Sequence, residues 1–323
     1  MALGTLYALA AGLMWGLVFV GPLLLPEYPA ALQSVGRYLA FGLIALPLAW
    51  FDRARLRQLN RADWLRAIEL AAIGNLLYYL CLASAIQRAG GPLPTMIVGT
   101  LPVTIAVSAN LFGARREGTL PWPRLARPLG LILIGMAFVN NVEIASFRND
   151  ATADVARYAQ GSLLAFGAVA CWTWYPLRNA AWLRDHPGRS PRTWATAQGI
   201  TTLPLALAGY LLFWASISFT GSHFAMPAGP RPGMFIGLMA AIGLFASWLG
   251  TLCWNEASRR LPTTVAGQLI VFETLAGLTY SYIQRQRIPE FQVVVGIALL
   301  IIGVMLALRV KSAPLALRPH ESG

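Results

Sequence analysis

The sequence predicts ten transmembrane α-helices, set out as two inverted copies of one five-helix unit, and three observations predict it. Fifty-seven per cent of the 323 residues are hydrophobic and 12% are charged, more apolar material than a soluble core of this size can hide. Apolar runs of about 20 residues, enough to cross about 30 Å of hydrocarbon as helix, recur from end to end. Stretches of the first half also return in the second. Leu6–Trp15 returns as Leu163–Trp172, 157 residues on, and Leu46–Ala49 as Leu203–Ala206 at the same offset. Leu77–Cys81 matches Leu249–Cys253 at an offset of 172, and Leu131–Met136 matches Leu299–Val304 at 168.

The spans fall, in order, at about 3–25, 32–51, 65–86, 93–113, 127–145, 159–182, 194–215, 233–255, 262–282 and 290–309. Their interiors lack the polar-apolar alternation of a membrane barrel. The first run is too long for a secretory signal and lacks a small-residue cleavage pattern, so it reads as a retained span. The first copy is expected at 1–146 and the second at 159–310, with a periplasmic linker at 147–158 and a cytoplasmic tail at 311–323. An odd number of spans per copy forces the copies to insert with opposite orientation, a signature of many alternating-access transporters. With the N-terminus cytoplasmic, eighteen of the 25 basic residues flank the inner ends of spans and six the outer ends, Arg37 lying within a span. That is a positive-inside bias, and it predicts a multi-pass protein with both termini cytoplasmic.

The net charge of +12 is carried on those membrane-flanking loops, where insertion and anionic headgroups account for it, so nucleic acid is not an expected partner. The lipid bilayer and a small-molecule substrate are, and nothing points to an obligate protein partner. Cys81, Cys171 and Cys253 fall inside spans without metal-ligand spacing, and the three histidines lie in loops or the tail. The sequence therefore predicts no metal, no cofactor and no enzyme nucleophile. Pro47, Pro102, Pro176 and Pro204 interrupt the hydrogen bonding of their helices and are expected to bend them, as packing kinks or as gating hinges.

Polar groups in hydrocarbon turn toward a partner or a water-filled path, so they are the first candidates for a site. In the third span Asn75, Tyr78, Tyr79 and Leu82 follow helical spacing and are expected to share one face. In the fourth, Thr100, Thr104 and Ser108 form a stripe below Met96. Ser247, Trp248, Thr251 and Asn255 in the eighth span, with Thr264, Gln268 and Phe272 in the ninth, supply the opposite wall. The bland alternative is that these hydroxyls bond back to their own helices. Trp15, Trp172 and Trp248 lie deep, whereas Trp50, Trp64, Trp182, Trp194 and Trp214 read as interfacial belts. A pocket of such rings accepts apolar or aromatic side chains and lacks the paired cations a phosphosugar needs. Arg37 is either a carboxylate clamp or an anchor to helix-end carbonyls or lipid phosphate, and Glu273 either a proton carrier or a fixed structural group.

These residues resemble a family. Trp15-Gly16, Trp172, Arg37, Leu101-Pro102-Val103, Phe272-Glu273 and the Gly135 and Gly303 helices are similar to the EamA-domain branch of the drug/metabolite transporter superfamily over about residues 3–309. The aromatic-rich spans look most like the YddG-type amino acid exporters. Where the family commonly shows Glu-Pro-Val in the ninth span, this chain has Glu273-Thr274-Leu275. The resemblance implies a transporter of the bacterial inner membrane. The site residues expected to bind substrate are Trp15, Asn75, Tyr78, Tyr79, Thr100, Thr104, Trp172, Trp248, Thr251 and Gln268, with Arg37 and Glu273 as charge or coupling groups. The reading is an exporter of amino acids, aromatic or otherwise amphipathic, working by alternating access. A multidrug or cation exporter of the same superfamily is the alternative, and a membrane enzyme or lipid flippase a remote one.

Overall fold

The computed structural model describes residues 2–89, 94, 97–112, 122–148, 155–220, 224–286 and 288–308. Within them all regular structure is helical. Hydrocarbon offers the backbone no hydrogen-bonding partner, and a helix satisfies its amides within itself. The elements are α1 (Ala2–Trp15), α2 (Leu17–Leu24), α3 (Ala30–Phe51), α4 (Arg53–Leu56), α5 (Arg61–Leu70) and α6 (Tyr78–Ala89). They continue with α7 (Leu101–Phe112), α8 (Trp122–Arg148), α9 (Val155–Asp185), α10 (Pro191–Thr220) and α11 (Pro232–Ile242). The last four are α12 (Gly250–Arg260), α13 (Thr263–Leu269), α14 (Val271–Arg285) and α15 (Phe291–Leu308). Two π-helical stretches, Ala71–Leu77 between α5 and α6 and Gly243–Leu249 between α11 and α12, lie 172 residues apart at both ends.

Five stretches are long and apolar enough to cross a membrane: Ala2–Leu24, Ala30–Phe51, Arg61–Ala89, Pro191–Phe219 and Pro232–Arg260. Leu101–Leu111 and Phe291–Gly303 are shorter apolar helices. The outward surface is apolar as well, with Phe51, Phe166 and Leu212 standing exposed. The helices at α8 and α9 enter the expected linker from both sides, and residues 149–154 and the tail from 309 lie outside the described residues.

None of the four prolines ends its helix. Pro47, Pro176 and Pro204 sit inside continuous helices, and Pro102 occupies the first turn of α7, where its missing N–H costs no hydrogen bond. The chain instead leaves α-helix at Gly16, at Gly99-Thr100, at Ile270 and in the two π stretches. Neighbouring helices and the local polar groups satisfy a kinked span, so a proline alone does not end it.

The helices associate in antiparallel pairs through small residues, as bilayer helices do. Helix α1 lies along α12, with Gly4 against Leu261 and Trp15 against Gly250. Helix α3 lies along α10, α6 along α9, α7 along α13, and α8 along α15. In the last pair backbone meets backbone: a Cβ on Gly135 would come within 2.6 Å of the Gly296 carbonyl oxygen and 2.9 Å of the Leu300 nitrogen. Both are helix backbone and cannot swing away. Gly135→Val is therefore expected to cost about 1–3 kcal/mol and to lower the melting temperature in detergent. Gly130 on the same helix has nothing within 4 Å of its Cβ position, and Gly130→Val should melt with the wild type. Equal melting of both variants would show that the pair can separate without cost.

Candidate functional site

The three departures from α-helix at Gly16, Ile270 and the first π stretch surround a buried cluster of rings and two opposite charges. Trp172 of α9 is sandwiched between Tyr78 of α6, at 4.6 Å and 17°, and Tyr175, at 4.9 Å and 6°. Trp15 meets Trp172 edge-on at 5.1 Å, and Trp254 lies 5.2 Å from Trp15. The stack fits because Gly74 has no side chain: a Cβ there would stand 2.1 Å from the Tyr175 ring. The Tyr78 hydroxyl donates to Glu273 Oε1 at 3.3 Å, and the Trp172 indole lies near the same carboxyl outside hydrogen-bond geometry. Glu273 stands in the first turn of α14, which starts afresh after the break at Ile270. The unpaired amides of that helix start favour a carboxylate.

Arg37 is buried as well. Its Nε donates to Ser247 Oγ at 2.9 Å, and its guanidinium rests over the rings of Tyr38, at 4.8 Å, and Tyr79, at 4.6 Å. Arg37 lies two turns inside α3, and its partners are these side chains of the protein interior. Its position near a span end concealed that α3 is packed against the second π stretch there.

Six expected residues thus come together: Trp15, Arg37, Tyr78, Tyr79, Trp172 and Glu273. Thr251 joins them beside the Tyr175 hydroxyl. The others turn elsewhere. Asn75 donates to Thr202 and Trp248 to Thr196, each at 3.3 Å and each onto α10. The expected common face of Asn75, Tyr78 and Tyr79 is therefore overturned. A π turn holds more residues than an α turn, so Asn75 faces α10, Tyr78 faces Glu273, and the Tyr79 hydroxyl donates to the Val18 carbonyl. Thr100 bonds back to Ile97, while Thr104 bonds to Leu101 and meets Thr173 at 3.1 Å. Gln268 is buried with both amide atoms unpartnered. Met96 and the Thr264 side chain lie outside the described residues.

Two features escaped sequence reasoning. A polar chain leaves the ring stack: the Tyr175 hydroxyl donates to Gln198, Gln198 and Trp194 donate to Asn179 Oδ1, and Asn179 donates to Asn255. It ends where Asn255 donates to the Pro191 carbonyl. There Trp182 and Trp194 are buried and stacked at 9°, not exposed as an interfacial belt, and Trp182 donates to Asp63 at 2.9 Å. A cavity of about 480 Å³ opens beside them, lined by Asn60, Asp63, Arg66, Arg178 and His186. Tyr28 is tied down at the other end of the helices. Tyr28 is fully buried, donates to the Ala228 carbonyl, accepts from the Arg231 amide and stacks on Phe235. Glu27 pairs with Arg231, and its carboxyl is held below its ordinary range first by backbone hydrogen bonding and then by that guanidinium.

Residues 2–140 match the EamA-like transporter family. The chain is 57% identical over 308 residues, 95% of either chain, to the inner membrane protein YtfF of Escherichia coli (strain K12). The chain belongs to the EamA-like transporter family. A crystal structure of a protein only 16% identical superimposes with a TM-score of 0.70 over 94% of this chain and 96% of its own, and so shares the fold. Family membership makes the protein a membrane-embedded transporter.

Proposed function

We propose that the protein exports amino acids, aromatic or otherwise amphipathic, across the bacterial inner membrane by alternating access. The observation that carries the reading is the buried Tyr78–Trp172–Tyr175 stack with Glu273 bonded to Tyr78 and Arg37 lying over the ring of the next residue, Tyr79. Rings supply an amphipathic surface for the side chain, and the two charges suit a zwitterionic backbone. The inner-membrane name of the YtfF relative supports the location. Ten spans in two inverted copies are supported by the π stretches at matching positions and by the antiparallel pairing. Trp172 stacks on Tyr78, while its counterpart Trp15 packs against Gly250, the counterpart of Tyr78. On this reading the two copies differ at the site, and the cavity lies at the end away from Tyr28.

The test is counterflow of labelled amino acids, nucleotide sugars and quaternary amines in proteoliposomes, with and without a pH gradient. Amino acids are expected to exchange and nucleotide sugars to be ignored; failure of every amino acid sinks the reading. The buried carboxylate of Glu273 is a feature that would favour a cation exporter instead. If quaternary amines are carried and Glu273→Gln abolishes their transport, that second reading takes over.

A further inference from the structure

The charges at the centre are incompletely satisfied. Arg37 and Glu273 are 4% and 2% exposed, yet Arg37 Nη1 and Glu273 Oε2 have no hydrogen-bond partner. The two side chains feel each other's field but do not form an ion pair. Leaving two buried opposite charges unjoined is costly, and contact between them would remove much of that cost. Each is held instead by other partners. Ser247 and the rings of Tyr38 and Tyr79 fix the guanidinium, and Tyr78 fixes the carboxylate. A group with a carboxylate at one end and an ammonium at the other would complete both.

We infer that Arg37 and Glu273 are the two poles of a zwitterion-binding site, Arg37 Nη1 taking a substrate carboxylate and Glu273 Oε2 its ammonium. The site thereby selects free α-amino acids over amines and over carboxylic acids of the same side chain. This rests on the amino acid reading above and adds to it which residue reads which charge. Tyr78 is then a positioning residue: its hydroxyl occupies Glu273 Oε1 and leaves Oε2 for the ligand. The adjoining rings receive the side chain.

The experiment is competition against labelled phenylalanine by unlabelled phenylalanine, phenethylamine and 3-phenylpropionate on the full-length protein in proteoliposomes. Leucine, isopentylamine and 4-methylpentanoate form a parallel series. Wild type is expected to prefer each amino acid over both analogues by about tenfold or more, because a buried charge left unpaired is strongly penalised. In Glu273→Gln the preference over the acid should shrink by about tenfold while the preference over the amine remains. In Arg37→Gln the pattern should reverse. Arg37→Lys keeps the charge and should keep the discrimination against the amine, which preserves the test if Arg37→Gln does not fold. Parallel loss for all three ligands in both glutamine variants would overturn the inference and leave the amino acid reading standing. Wild type that binds neither phenylalanine nor leucine would overturn both.

Discussion

Gly74→Val is expected to cut transport by about 100-fold while the protein still reaches the membrane. A side chain at this position would come within 2.1 Å of Tyr175 Cδ2, 2.7 Å of Cγ and 2.9 Å of Cβ. The last of these lies next to the α9 backbone, so rotating the ring does not clear it. Tyr175 has nowhere to go in any case, being buried, stacked on Trp172 and bonded through its hydroxyl to Gln198 at 2.8 Å. The intrusion is expected to cost about 1–3 kcal/mol as overpacking. The greater consequence is geometric, because Trp172 carries Tyr78, and Tyr78 carries the Glu273 carboxylate. Counterflow in proteoliposomes and a melting curve measure the two effects separately. Normal transport by Gly74→Val would mean that the ring stack does not set the site.

Asp63→Ala is expected to cause the largest loss of stability of any single charge removal, about 3–5 kcal/mol, read as a lower melting temperature in detergent. The carboxylate is 3% exposed and occupied on both oxygens. Oδ2 accepts the Asn60 amide at 2.9 Å, closing the capping box that starts α5, and Oδ1 accepts the Trp182 indole at 2.9 Å. His186 Nε2 lies 3.6 Å from the same oxygen and its ring stacks on Trp182. Removing the group leaves two buried donors unsatisfied and frees the end of α9 from α5. Asp63→Asn keeps one acceptor oxygen and is expected to lose about half as much. A melting temperature for Asp63→Ala equal to that of the wild type would show that the Trp182–Trp194 stack holds this end without it.

Much of the helical framework was legible because burial in lipid writes long apolar runs, and Trp15, Tyr78, Trp172 and Glu273 stood out as polar or amphipathic groups far from any span end. What was not legible depends on contacts distant in the chain. Trp182 looks the same in sequence whether it faces headgroups or a neighbour, and its partner Asp63 lies 119 residues away. Arg37 hides for a similar reason, since Ser247 is 210 residues off. The faces of Asn75 and Trp248 were misjudged for a local reason. Spacing arguments assume 3.6 residues per turn, and both residues sit in stretches that do not obey it. Tyr38 left no separate signal, because an aromatic residue inside a span is most often packing.

The π stretch at Ala71–Leu77 sets the angular phase of everything beyond it. Each residue of an α-helix advances the chain by about 100° around the axis and 1.5 Å along it. With one residue fewer before it, Tyr78 would face a quarter-turn away from Glu273. The second stretch indexes Gly250 and Thr251 in the same way. Two rods that must cross the whole membrane can thus keep their ends in register with their neighbours while their middles are turned to a different setting.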